Sequence, residues 1–128
     1  MNKYKLDHIH LICPDIEATK NWYCDILDGK VTFEAILEGN KVYYLKLTDF
    51  VIILIEQLPG EKPLPASLET RQGLDHFGLE VEDMDEAVKE FTDKGVRFLV
   101  EPTQIRHGLC IAYIEAPDKV RIELAERK

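Results

Sequence analysis

The tripeptide Leu-Asp-His occurs twice, as Leu6-Asp7-His8 and as Leu74-Asp75-His76, and no other feature constrains the fold of this chain as tightly. Each copy runs into apolar residues, Ile9 and Leu11 in the first and Phe77, Leu79 and Val81 in the second. An aspartate stands seven residues beyond each histidine, at Asp15 and Asp83. A supersecondary unit used twice, passing from strand to helix each time, accounts for the pattern.

Side-chain alternation over 5–13 puts Leu6, His8, His10 and Ile12 on one face of a strand and Asp7, Ile9, Leu11 and Cys13 on the other. Pro14-Asp15 opens a helix with Asp15 as N-cap. Ile16, Thr19, Tyr23, Ile26 and Leu27 form its apolar stripe, and Gly29 is expected to end it. Strands over 31–37 and 41–47, joined by Glu38-Gly39-Asn40, and a third over 50–56 complete the first unit. Residues 58–73 hold Pro59, Pro63, Pro65 and Gly60 among several charges and are expected to form a linker.

The second unit repeats the order. A strand over 74–81 leads to a capping box at Asp83-Met84-Asp85-Glu86 and a helical stripe of Met84, Ala87, Val88 and Phe91 that stops before Gly95. A strand over 96–99, a polar loop over 101–108, and strands over 109–115 and 120–126 joined by Ala116-Pro117-Asp118-Lys119 follow. The expected fold class is α+β, a single domain over 1–128 made of two βαβββ modules, residues 4–57 and 74–127.

With 128 residues, 45% of them hydrophobic, the chain can bury one core without disulfides or metal staples. No apolar run approaches the roughly 20 residues that span a bilayer, and the N-terminus moves directly into strand-like sequence, so a cytoplasmic location is expected. Cys13, Cys24 and Cys110 are widely spaced and fit small buried hydrophobes better than a disulfide framework. A net charge of −8 without a basic cluster gives no electrostatic reason to bind nucleic acid or an anionic membrane. The absence of P-loop, GxGxxG, GxSxG and HExxH patterns removes the usual nucleotide and hydrolase functions. A small-molecule substrate is the expected partner.

The two Asp-His strands with their downstream Asp-capped helices, the turn Lys94-Gly95-Val96, and Pro117-Asp118 before Ile122-Glu123-Leu124 together resemble the vicinal oxygen chelate superfamily over essentially the whole chain. That superfamily contains glyoxalase I, methylmalonyl-CoA epimerase, extradiol dioxygenases, fosfomycin-resistance enzymes and metal-free bleomycin-binding proteins. The resemblance implies curved sheets around a metal-binding cup, and commonly a homodimer. It places His8, His76 and Glu123 at the superfamily's metal-ligand positions. Strand parity agrees, because Val120, Ile122 and Leu124 take the helix side and leave Arg121, Glu123 and Ala125 on the other. Two imidazoles and one carboxylate suit a divalent Fe, Mn, Ni, Zn or Co ion. A lone strand histidine is more often a hydrogen-bonded structural residue than a ligand; joint placement at matched positions of a repeat favours the ligand role.

Glyoxalase-type members carry a fourth ligand, a carboxylate on the last strand of the first module, for which Glu56 is the candidate. The repeat argues otherwise: Tyr43 and Tyr113 precede Ile53 and Glu123 by the same ten residues, so Glu56 aligns with Glu126 and the ligand position is Ile53. His10, two residues beyond His8, is a candidate general base. Tyr113 stands where the superfamily keeps a tyrosine near the metal. His107 falls in the polar loop and is more simply solvated. The implied activity is a glyoxalase I-like or epimerase-like lyase or isomerase acting on a substrate that chelates the metal through adjacent oxygens. An Fe(II) extradiol-type dioxygenase and a non-catalytic bleomycin-resistance-like binding protein are the alternatives.

Overall fold

Both aspartates seven residues past the repeated histidines cap helices. In the computed structural model, which describes residues 3–128, Asp15 Oδ1 accepts a hydrogen bond from the Ala18 N–H at 3.1 Å and Asp83 Oδ1 accepts one from the Glu86 N–H at 3.1 Å. Each satisfies an amide that the first helical turn leaves unpaired. The helices are α1 (Ile16–Leu27) and α2 (Met84–Asp93).

The chain divides into two units between Pro65 and Ala66. In the first, β1 (His8–Ile12) lies parallel to β4 (Phe50–Ile55), and β3 (Asn40–Leu47) and β2 (Lys30–Leu37) extend the sheet in the order β1-β4-β3-β2. In the second, β5 (Phe77–Glu80) lies parallel to β8 (Val120–Arg127), with β7 (Leu109–Ala116) and β6 (Phe98–Arg106) beyond, in the order β5-β8-β7-β6. The fold is α+β, two βαβββ units, as the repeat requires. No described helix is long and apolar enough to cross a membrane.

Each helix packs on one face of its own sheet. Tyr23, Leu45, Ile52 and Leu54 are fully buried in the first unit, and Ile114, Ile122 and Leu124 in the second. Burying each such side chain contributes about 1.5–3 kcal/mol, so these faces dominate the stability of both units.

Three local expectations are corrected. The polar stretch 101–108 is not a loop: β6 continues to Arg106, and only His107 and Gly108 form the turn into β7. Because β6 is the edge strand with both faces largely exposed, it needs no apolar alternation and tolerates Pro102. His107 therefore sits in a tight hairpin turn. The strand expected over 74–81 is only Phe77–Glu80, with His76 just before it. At the end of α1 the left-handed residue is Asp28, at φ 56°, and not Gly29. Gly29 is tightly placed for a different reason: a Cβ there would lie 3.2 Å from the Tyr23 carbonyl oxygen and 3.0 Å from Leu47 Cδ1.

Candidate metal centre

In the second unit, strand register decides which side chains meet. Gly78 pairs with Glu123 across β5 and β8, and Tyr113 pairs with Glu123 across β7 and β8. Ile122 and Leu124 are fully buried on the side of α2, where Glu126 Oε2 accepts a hydrogen bond from the Met84 N–H at 2.7 Å. Arg121, Glu123 and Ala125, with Tyr113 and Ile111 of β7, consequently share the opposite, open face.

His76 lies against this face. Its Nε2 is 3.9 Å from Glu123 Oε2 and 3.3 Å from the Tyr113 hydroxyl, and the His76 and Tyr113 rings meet edge to face with centroids 4.9 Å apart. On the far side of the ring, Nδ1 is 2.9 Å from Asp75 Oδ2. A carboxylate on Nδ1 favours the tautomer that leaves the Nε2 lone pair available for a metal. The hydrogen bond from His76 holds Asp75 below the usual carboxylate range, with the Arg121 charge acting in the same direction against burial. Burial, then the hydrogen bond and charge of Glu123, push the Tyr113 phenol up to about 12, so it is a proton donor in hydrogen bonds at neutral pH. A cavity of about 190 Å³ adjoins this group, lined by Thr70, Asp75, Leu99, Val100, Tyr113 and Arg121.

The first unit reproduces part of the arrangement. His8 Nδ1 is 2.7 Å from Asp7 Oδ2, the same adjacent carboxylate on the same ring nitrogen. His8 pairs with Val51 and His10 with Ile53, so both histidines share the open face of β1 with Ile12. Burial, and after it the neighbouring His8, lower the pKa of His10. Ile53 packs with Val42 and Ile55.

The internal alignment holds for Ile53 but shifts for the tyrosine. His10 opposes Ile53 as Gly78 opposes Glu123, each two residues beyond the repeated histidine. The antiparallel partner of Ile53 is Tyr44, however, and not Tyr43. Thr48-Asp49 turns β3 into β4 between the pair Leu47 and Phe50, whereas Pro117-Asp118-Lys119 turns β7 into β8 between Ala116 and Val120, one residue more. Tyr43 instead faces α1, donating its hydroxyl hydrogen to Glu17 at 2.6 Å. Tyr44 is thus the counterpart of Tyr113. Glu56 falls on the face opposite Ile53, and its Oε1 accepts a hydrogen bond from the Lys41 N–H at 2.9 Å.

Of the sequence candidates, His76, Glu123 and Tyr113 are gathered in one unit, and His8 and His10 lie together in the other. Among the described residues, no three His, Cys, Asp or Glu side chains are grouped in a way that could hold a metal ion. The donors nevertheless suit a divalent ion in their chemistry: two imidazoles backed by carboxylates, and a carboxylate 3.9 Å from one of them. Sequence reasoning missed the role of Asp7 and Asp75, although their adjacency to the repeated histidines was the available signal. It also missed Arg121, which contacts Asp75 at 3.3 Å and carries no motif.

Two βαβββ units, each presenting an Asp-backed histidine beside an open sheet face, define a class of small two-module proteins with metal-donor side chains. The chain belongs to the Glyoxalase/Bleomycin resistance protein/Dioxygenase superfamily, whose family model matches residues 7–113. It is 25% identical over 122 residues to mitochondrial methylmalonyl-CoA epimerase of Bos taurus, covering 91% of this chain and 70% of that protein. It is 26% identical to a probable lactoylglutathione lyase of Synechocystis sp., covering 93% of this chain and 92% of that protein. The fosfomycin-resistance protein FosX of Listeria monocytogenes, solved with Mn(II) and sulfate, has the same fold with a TM-score of 0.72 at 17% identity, covering 100% of this chain and 95% of that one.

Proposed function

We propose that this chain is a divalent-metal-dependent isomerase or lyase, of the epimerase or glyoxalase I kind, acting on a small substrate that presents two adjacent oxygens. The observation that carries the proposal is the Asp75-backed His76, whose Nε2 lies 3.9 Å from Glu123 and 3.3 Å from the Tyr113 hydroxyl and whose Asp-backed ring His8 repeats in the first unit. We assign metal-donor roles to His76 and Glu123 in the second unit and to His8 in the first. Glu56 already accepts a backbone hydrogen bond and is left outside this set. When bound, the ion supplies Lewis acidity at the two substrate oxygens, which acidifies the neighbouring C–H bond. Tyr113, protonated well above neutral pH, donates a hydrogen bond to a substrate oxygen. His10, on the same face as His8, is the group we assign to proton transfer. The similarity to an epimerase and a probable lyase supports this choice of chemistry.

The test is metal content of protein purified without chelator, for wild type and His76→Ala, combined with turnover of acyl-CoA epimers and of hemithioacetals. Stoichiometric metal lost in the variant, with turnover of either substrate, is the expected result. A metal-free wild type that still binds a small ligand would leave the non-catalytic binding function. The same donor set also serves Fe(II) oxygenases, so iron with oxygen uptake on catechols would replace this reading by the dioxygenase.

A further inference from the structure

The two Asp-His pairs are built alike but supported differently, and the difference lies one strand away. Phe77 pairs with Ile122, so one step back along the parallel register His76 stands beside Arg121; in the first unit the same place, opposite His8, is held by Val51. Arg121 Nη1 donates to Asp75 Oδ1 at 3.3 Å, and its Nη2 donates to the Leu68 carbonyl. Asp75 Oδ2 in turn engages His76 Nδ1 at 2.9 Å. A continuous run of hydrogen bonds thus leads from the backbone of the segment before β5, through a guanidinium and a carboxylate, to the imidazole.

The fork geometry of arginine matters here. It holds two acceptors in one plane, which a lysine ammonium does not. The side chain of Asp75 is 43% exposed and that of Asp7 is 88% exposed. Asp75 is thus held by both His76 and Arg121, whereas the largely exposed Asp7 is held by His8, and a ligand whose orientation is fixed before metal arrives has less entropy to give up when it binds.

We propose that Arg121 is a positioning residue: it clamps Asp75 and the Leu68 carbonyl, fixes the His76 tautomer and ring orientation, and makes His76 with Glu123 the tighter of the two donor groups. The inference rests on the proposed metal dependence for its affinity consequence, but its structural consequence is separate.

The test uses the full-length chain with Arg121→Met, Arg121→Lys, Asp75→Asn and Asp7→Asn, each checked for folding by far-UV circular dichroism. In metal-free protein, long-range nitrogen NMR should find the His76 imidazole in one tautomer with Nδ1 protonated, mixed in Arg121→Met and intermediate in Arg121→Lys, while His8 is unchanged in both. Hydrogen exchange of 66–75 should quicken in Arg121→Met. Zinc(II) affinity, measured by competition with a chromophoric chelator, should fall about tenfold to a hundredfold in Asp75→Asn and about tenfold in Arg121→Met. In Asp7→Asn it should fall several times less than in Asp75→Asn. An unaltered His76 tautomer in both Arg121 variants, or an Asp7→Asn loss equal to that of Asp75→Asn, would overturn the proposal. A wild type that binds no zinc would defeat the metal-dependent function and leave Arg121 to be judged by the tautomer.

Discussion

Replacing Ile53 by glutamate tests the asymmetry between the units most directly. Ile53 stands opposite Tyr44 and His10 as Glu123 stands opposite Tyr113 and Gly78, yet it is 8% exposed and packs with Val42 and Ile55. Removing that aliphatic burial costs about 1.5–3 kcal/mol. Setting a carboxyl against Val42, Ile55 and Val51, with His10 and Tyr44 as its polar neighbours on that face, costs a further 1–3 kcal/mol or so. The variant should therefore lose about 2.5–6 kcal/mol, a large share of the 5–15 kcal/mol typical of a domain. Burial disfavours the charged carboxylate and raises its folded pKa above the unfolded value near 4.3. Stability contributed by a group shifted upward is present below the unfolded pKa and lost as pH rises through the folded one, so the deficit should be smaller at about pH 4.5 than at pH 8. Urea unfolding in the presence of EDTA, followed by circular dichroism at both pH values, measures this. A loss below about 1 kcal/mol at pH 8 would refute the register argument, because position 53 would then face water.

Two further outcomes follow from groups elsewhere in the fold. Hydrogen bonds from Lys41 and from Tyr43 hold Glu17 down to about 2, so its contribution is present above its ordinary value near 4.5 and is lost as pH falls toward 2. Wild-type Tm should then drop more steeply between pH 5 and pH 2 than that of Glu17→Gln; parallel curves from calorimetry would show that the α1 to β3 link is not stabilising. Tyr113→Phe should retain its metal content, lose turnover by about a hundredfold if the phenol steadies developing charge on the substrate, and lose the phenol that titrates near 12. Absorbance at high pH and steady-state kinetics read the two effects separately, and unchanged turnover would remove Tyr113 from the reaction.

The fold was largely legible because its signals are local and repeated. Asp15 and Asp83 announce their helices by capping them, and the alternation at Ile122, Glu123 and Leu124 states which face each residue takes. What was misread depends on neighbours in space. The stretch from Glu101 to Arg106 looks like a loop because edge strands are released from apolar alternation, and no count along the chain reveals that it is an edge. Counting ten residues matches Tyr43 with Tyr113, but the count crosses a turn that is one residue shorter in the first unit, and alternation converts that single residue into a change of face. Arg121 carries no signal in the sequence for a related reason: its meaning comes from Asp75, which lies far away in sequence and 3.3 Å away in space.

The repeated Leu-Asp-His shows how a duplicated unit divides its duties. Residues that face the helices keep one task in both copies: Ile52 and Leu54 are buried in one unit as Ile122 and Leu124 are in the other. The open faces answer to no helix and have diverged. Around His8 the strand neighbour of the histidine is Val51 and the position matching Glu123 is aliphatic, so the unit offers an imidazole on an apolar surface. Around His76 the equivalent positions are Arg121 and Glu123, with Tyr113 beside them, so the unit offers an oriented imidazole, a carboxylate and a protonated phenol. Charge and orientation are concentrated in the second copy. Substitutions on its open face should therefore change metal affinity and proton chemistry, whereas on the first copy's open face the aliphatic positions, Ile53 foremost, should register mainly as stability and only His8 and His10 as chemistry.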